Sequence, residues 1–153
     1  MHRTELAKFF KENLFIANLK ARRKDAAIAE LLDLFVAEKY IRNHDIVLEM
    51  LHQRETLGST GIGKGVAIPH GRTTAASEVL IAFGKTETGI EFDAIDDKPV
   101  HLFFMVIAPP NDEGNVYLPI LGSLVTILNE KSNRDRLLKV ENYADFIALV
   151  IGE

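Results

Sequence analysis

The sequence predicts an α/β fold in which a mixed β-sheet is sandwiched between helices in three layers, and three observations carry that prediction. Apolar residues recur at helical spacing in the first and last thirds of the chain, while the middle third holds runs rich in β-branched and aromatic residues. No Ser/Pro-rich linker, low-complexity tract or repeat divides the sequence, so residues 1–153 read as a single domain. With 153 residues and 47% apolar side chains, the chain can bury a substantial core without covalent staples.

Taken in order, Thr4 is a candidate N-cap for a short helix over 4–13, followed by a strand over 14–17. Residues 24–40 place Ala27, Ile28, Leu31, Leu32, Phe35 and Val36 on one helical stripe. Asn43 is the cap candidate for a second helix, which carries Ile46, Val47, Met50 and Leu51 and ends near Arg54. A glycine-rich loop then leads to a strand at 66–68 and to Pro69-His70-Gly71-Arg72. Strands are expected at 79–83 and at 100–107, the second stopped by Pro109-Pro110. Helical spacing returns at 116–129, where Pro119 is tolerable only in the first turn, at 134–140 and at 143–151.

Composition removes several function classes. There is no cysteine, which excludes disulfides, thiol nucleophiles and Cys-based zinc sites. Eighteen basic against 22 acidic residues give a net charge of −4, so no general field for nucleic acid is expected. Apolar runs such as 102–108 are far shorter than the ~20 residues that span a bilayer. The first 18 residues mix Arg3, Glu5, Lys8, Lys11 and Glu12 among apolar ones, unlike a signal peptide, and the expected setting is the cytoplasm.

Chemistry concentrates between Arg54 and Arg72, where half of the ten glycines lie and the local charge is +2 within an acidic chain. Successive glycines beside Ser59 and Thr60 can turn backbone N–H groups toward one point, a concavity that attracts an oxyanion. Arg54 and Arg72 supply guanidinium groups suited to phosphate, and His70 supplies an imidazole that is largely neutral near pH 7. The same loop is compatible with a purely structural role, its glycines building a tight connection and His70 ending a strand. Gly58 to Lys64 also fits the opening of a nucleotide-binding loop. Gly65 stands where Ser or Thr is needed for Mg²⁺, and a helix precedes the loop where a strand should, which argues against that reading.

The run Arg54-Glu55, Ser59-Thr60-Gly61-Ile62-Gly63 and Gly65-Val66-Ala67-Ile68-Pro69-His70 strongly resembles the signature of the fructose/mannitol-type enzyme IIA family of the bacterial phosphotransferase system, the type-2 EIIA proteins, which include the nitrogen-regulatory IIA proteins. Thr88-Gly89-Ile90-Glu91-Phe92-Asp93-Ala94, Lys98-Pro99-Val100 and Ala108-Pro109-Pro110 extend the resemblance over nearly the whole chain. The resemblance implies that His70 is phosphorylated by a small phosphocarrier of the HPr type, with Arg54 steadying the phosphoryl group. Ser59, Thr60, Gly61 and Gly63 are the expected phosphate-binding loop, with Arg72 as an auxiliary. The phosphoryl group then passes to a IIB domain of a sugar permease, or serves as a signal read by regulatory targets. It implies a phosphocarrier component with no cofactor and no metal, rather than a complete turnover enzyme.

One position departs from the family pattern. A second histidine usually precedes a leucine at the start of the helix after the Pro-containing strand exit, and here Tyr117 precedes Leu118. A phenol donates a hydrogen bond but does not become cationic, so transfer is expected to be retuned, or impaired in favour of a standalone regulatory binding role. Tyr117 is read either as a donor or as a rim aromatic, and together with Leu57 and Ile62 as part of an exposed docking patch. His44 and His52 are expected to be solvated and lie eight residues apart, wrong for a helical zinc pair, while His101 is expected to be a hydrogen-bonded strand residue and His2 a frayed one. Glu91, Asp93, Asp96 and Asp97 read as a solvated turn, from which Asp93 or Asp97 is a candidate to orient the His70 ring.

Overall fold

A computed structural model describes residues 1–153. The elements are α1 (Arg3–Leu6), a 3₁₀ turn (Ala7–Phe9), β1 (Phe10–Ile16), α2 (Lys24–Ala37), α3 (His44–Thr56), β2 (Gly61–Gly63), β3 (Val66–Ala67), β4 (His70–Arg72), β5 (Leu80–Ile90), β6 (Val100–Ala108), α4 (Tyr117–Leu128), α5 (Lys131–Leu137) and α6 (Tyr143–Ile151). The sheet runs β1-β5-β6-β3-β2, with β4 also on β6. β1 is parallel to β5, β3 and β4 are parallel to β6, and β5 and β6 are antiparallel, so the sheet is mixed, as the sequence predicts.

The central strands explain the three layers. Leu102, Phe104 and Val106 of β6 enter the core beneath α4, α5 and α6, while Phe103, Met105 and Ile107 enter the core beneath α2 and α3. Side chains alternate across a strand, so a continuous apolar run feeds two cores at once. On one side Ala27, Ile28, Leu31, Leu32 and Phe35 of α2 pack with Val47 and Leu51 of α3. On the other, Phe146 of α6 lies 4.5 Å from Phe83 and 5.1 Å from Phe10 between ring centroids. Each buried Phe, Leu or Ile side chain contributes roughly 1.5–3 kcal/mol, which holds the helices against the sheet.

Local signals account for most boundaries. The Asn43 side chain caps α3 by accepting from the Ile46 N–H at 3.2 Å, as expected. The N-terminus differs from expectation. Thr4 is not a cap, the helix stops at Leu6, and β1 begins at Phe10 rather than residue 14 because Phe10 pairs with Ile81 of β5. Tertiary pairing here overrides helical spacing. β5 continues to Ile90, beyond the expected end at 83, and α5 starts at Lys131 rather than 134.

One discontinuity positions the site. β3 and β4 keep the same register on β6, Ala67 opposite Phe103 and His70 opposite Val106, with Pro69 between them. β2 covers only β3, so Pro69 falls where the line becomes a sheet edge and its missing N–H costs no ladder bond. The Pro69 carbonyl still accepts from the Val106 N–H at 2.9 Å.

Candidate active site

His70 and Arg72 are two residues apart on β4, which directs both side chains to the α4 side of the sheet, while Gly71 faces α3. A Cβ at Gly71 would fall 2.0 Å from Met50 Sδ, so the bare backbone lets α3 lie flush against β4. That close approach brings Arg54, in the last turn of α3, to the same cleft as His70. The cleft, of about 500 Å³, is lined by Met50, Arg54, His70, Arg72, Tyr117 and Leu118 among others, and by no acidic residue.

The His70 ring is fixed from within its own strand. Nδ1 lies 2.6 Å from the Ile68 carbonyl oxygen. A carbonyl only accepts, so Nδ1 carries the proton and Nε2, which has no protein partner, keeps its lone pair. This bond does the orienting expected of Asp93 or Asp97, both of which sit in the exposed turn before β6. Burial pushes the His70 pKa below its usual 6.5; the Ile68 carbonyl opposes this, the Arg54 charge adds to it, and Glu55 opposes it. The ring is therefore neutral at neutral pH.

Arg54 donates from Nη1 to the Gly58 carbonyl at 2.9 Å, and Arg72 from Nη1 to the Pro110 carbonyl at 3.2 Å. Neither guanidinium forms an ion pair. Two unneutralised arginines and one imidazole line the same cleft in a chain of net charge −4. The Arg72 guanidinium lies over the Tyr117 ring, 4.6 Å from its centroid, and the Tyr117 and His70 rings are 6.2 Å apart at 56°.

The glycine-rich loop takes a form the sequence did not disclose. The Ser59 hydroxyl donates to the Phe92 carbonyl at 2.7 Å and accepts from the Gly61 N–H at 3.0 Å. The Thr60 N–H donates to Glu55 Oε1 at 3.0 Å, and its hydroxyl donates to Glu55 Oε2. Lys24 completes the cluster, 3.1 Å from Glu55. Gly61 is needed because a Cβ there would meet the Ala94 backbone at 2.9 Å, and Gly63, at φ +93°, opens the turn into β3. Ser59, Thr60, Gly61 and Gly63 thus brace the loop, and none of the four lines the cleft. Lys64 bonds Asn129 Oδ1 at 2.6 Å, away from the cleft, which disposes of the nucleotide-loop alternative.

Glu55 and Lys24 are the residues that sequence reasoning missed. The signal was there: a carboxylate beside Arg54 on a helix end, five residues before a buried hydroxyl at Thr60. The expected exposed patch also changes. Leu57 and Ile62 are exposed, at 83% and 41%, but Tyr117 is buried, at 6%, and Leu118 at 67% takes its place. Burial raises the Tyr117 pKa to about 12, with Arg72 and Arg54 opposing, so the phenol stays neutral. His44 and His52 are half-buried rather than solvated: His44 Nε2 lies 3.2 Å from Asp33, and His52 Nε2 is buried without a hydrogen bond. His101 donates from Nδ1 to the Thr86 carbonyl at 3.0 Å, as a strand residue should. No group of three or more potential ligands is placed to hold a metal ion, and no helix is long and apolar enough to cross a membrane.

Residues 8–152 match the family described as "Phosphoenolpyruvate-dependent sugar phosphotransferase system, EIIA 2". The chain is 40% identical over 119 residues to the PTS system fructose-specific EIIA component of Haloferax volcanii, covering 78% of this chain and 77% of that one. The structure of nitrogen regulatory protein IIA-Ntr from Neisseria meningitidis superposes with a TM-score of 0.87 at 33% identity, over 95% of this chain and 99% of that one. Escherichia coli enzyme IIA mannitol, solved in complex with phosphorylated enzyme IIB mannitol, shares the fold at a TM-score of 0.77 and 23% identity, over 94% and 99% of the two chains. With its signature running from the end of α3 to His70 and its match spanning nearly every residue, this chain belongs to the EIIA type-2 family of the phosphotransferase system.

Proposed function

We propose that the protein is a histidine phosphocarrier in which His70 Nε2 accepts a phosphoryl group from an HPr-type phosphoprotein in the cytoplasm. The observation that carries this reading is the Ile68 carbonyl holding the Nδ1 proton, which leaves the Nε2 lone pair free in a cleft with two arginines and no acid. An N–P bond forms at Nε2 as the carrier's own N–P bond breaks, and the carrier's imidazole departs with the bonding pair. No proton leaves His70: Nδ1 keeps its hydrogen, and the bond to Ile68 steadies the cationic phosphorylated ring. Arg54 holds the equatorial oxygens as charge spreads over them.

Leu57 and Leu118, exposed on either side of the cleft, support docking of a partner over His70. Onward transfer goes to a IIB domain, the partner with which the E. coli mannitol protein was solved. The test is incubation with phosphoenolpyruvate, enzyme I and HPr. Acid-labile phosphate on the wild type and none on His70→Ala is the expected result; equal labelling of both contradicts the assignment.

A second output is favoured by the close fit to a nitrogen regulatory IIA protein. Phosphorylation adds about two negative charges between Leu57 and Leu118, enough to switch affinity for a protein that docks there. Pull-downs with the two forms separate the outputs. A IIB domain as the main partner favours transport, and other proteins bound by one form alone favour regulation.

A further inference from the structure

We propose that Arg72 is a second phosphoryl-binding cation of the His70 cleft and that Tyr117 is the positioning residue that holds it there. This deepens the reading of His70 as acceptor and rests on it.

Three features converge on Arg72. It follows His70 by two residues on β4 and so projects from the same face of the sheet into the same cleft. Its guanidinium is restrained from two directions, by the Tyr117 ring at 4.6 Å against its face and by the Pro110 carbonyl at 3.2 Å on one edge. Its remaining N–H groups have no protein acceptor and no carboxylate pairs with it, so a charged, planar donor is held in place at the exposed rim of the cleft. A dianionic phosphoryl group on Nε2 is an anion that such a planar donor complements.

Tyr117 is built as a platform. It is the first residue of α4, its N–H donates to Asp112 Oδ2 at 2.7 Å, and its ring is buried. Stacking on a desolvated ring strengthens a cation–π contact and removes rotamers that a long arginine would otherwise sample. In the transfer step Arg54 enters from α3 and Arg72 from β4, two guanidiniums for the three equatorial oxygens as the N–P bond forms at Nε2 and the carrier's bond breaks. Tyr117 exchanges no proton, and its phenol stays neutral across the working range of pH.

The experiment is a double-mutant cycle on the rate of phosphoryl transfer from a phosphorylated HPr-type carrier, using the full chain. Arg72→Gln and Tyr117→Leu are each expected to slow transfer about tenfold, and the double variant to be no slower than Arg72→Gln alone, because the ring acts only through the guanidinium. Tyr117→Phe keeps the stack and is expected to recover most of the rate lost in Tyr117→Leu. The wild-type rate is expected to stay level from neutral pH to about pH 9, whereas Tyr117→His adds a second inflection below ~6.5, since burial and the two arginines disfavour a charged imidazole there. Losses that multiply to about 100-fold in the double variant, or Tyr117→Phe as slow as Tyr117→Leu, overturn the proposal while leaving His70 as acceptor. A wild-type protein whose His70 takes up no phosphate overturns both.

Discussion

The carbonyl of Ile68 lies 2.6 Å from Nδ1 of His70, two residues along the same strand line, with Pro69 between them. A backbone acceptor cannot titrate. The tautomer of the acceptor ring is therefore set by the fold itself, with no carboxylate needed to hold it, and a carboxylate-free cleft is free to receive an anion.

The pH dependence follows from burial. The folded-state pKa of His70 lies below 6.5, so between that value and 6.5 the unfolded chain binds a proton that the native one refuses. The stability associated with the neutral ring is fully present above pH 6.5 and is lost as pH falls through the lowered pKa. NMR titration of the His70 ring should give a midpoint below 6.5, and the acid limb of the phosphoryl-uptake rate should follow it. A midpoint above 6.5 contradicts the burial argument.

Arg54→Gln should slow uptake from an HPr-type carrier by about 10²-fold, the usual loss for one preorganised donor to developing charge. Its one bond within the protein is to the Gly58 carbonyl, at an exposed position, so the urea midpoint should move little. A fall in stability matching the fall in rate would show that Arg54 acts on the fold rather than on the phosphoryl group.

Glu55→Ala should destabilise the protein by ~2–4 kcal/mol, because it strips acceptors from the buried Thr60 N–H and hydroxyl and leaves Lys24 only its longer ion pair with the exposed Asp93, at 3.8 Å. Urea unfolding measures this directly. The glycine-rich loop should also loosen, seen as faster amide exchange at Thr60 and Gly61. A loss below ~0.5 kcal/mol would mean that the loop is held elsewhere.

Phe146→Ala should cost about 3–5 kcal/mol, since its ring packs against Phe10, Phe15, Phe83 and Phe104 beneath α6. Equilibrium denaturation reads the loss. His70 should keep its tautomer in the folded variant, because the bond to Ile68 lies on the far side of β6 from β1 and β5, where Phe146 packs.

The parts of the fold legible in the sequence are those governed by local patterning. The stripe from Ala27 to Phe35, the Asn43 cap and the alternation through β6 each follow from residues close together in the chain. β1 was not legible from Phe10 onward, because a parallel partner 71 residues away in β5 decides it, Phe10 lying opposite Ile81. At the site, the types of residue were legible and their targets were not. Ser59 and Thr60 look like anion donors in sequence, yet their hydroxyls meet Phe92 and Glu55, contacts that only folding creates. Tyr117 reads as either a hydrogen-bond donor or a rim aromatic until the Arg72 guanidinium is seen lying over its ring.

The most direct test of the central claim is a long-range ¹H–¹⁵N spectrum of the protein after phosphorylation through enzyme I and HPr. Phosphorus bonded to Nε2 of His70, with Nδ1 still protonated against Ile68, is the expected result. Phosphorus on Nδ1, or on any other residue, would contradict it.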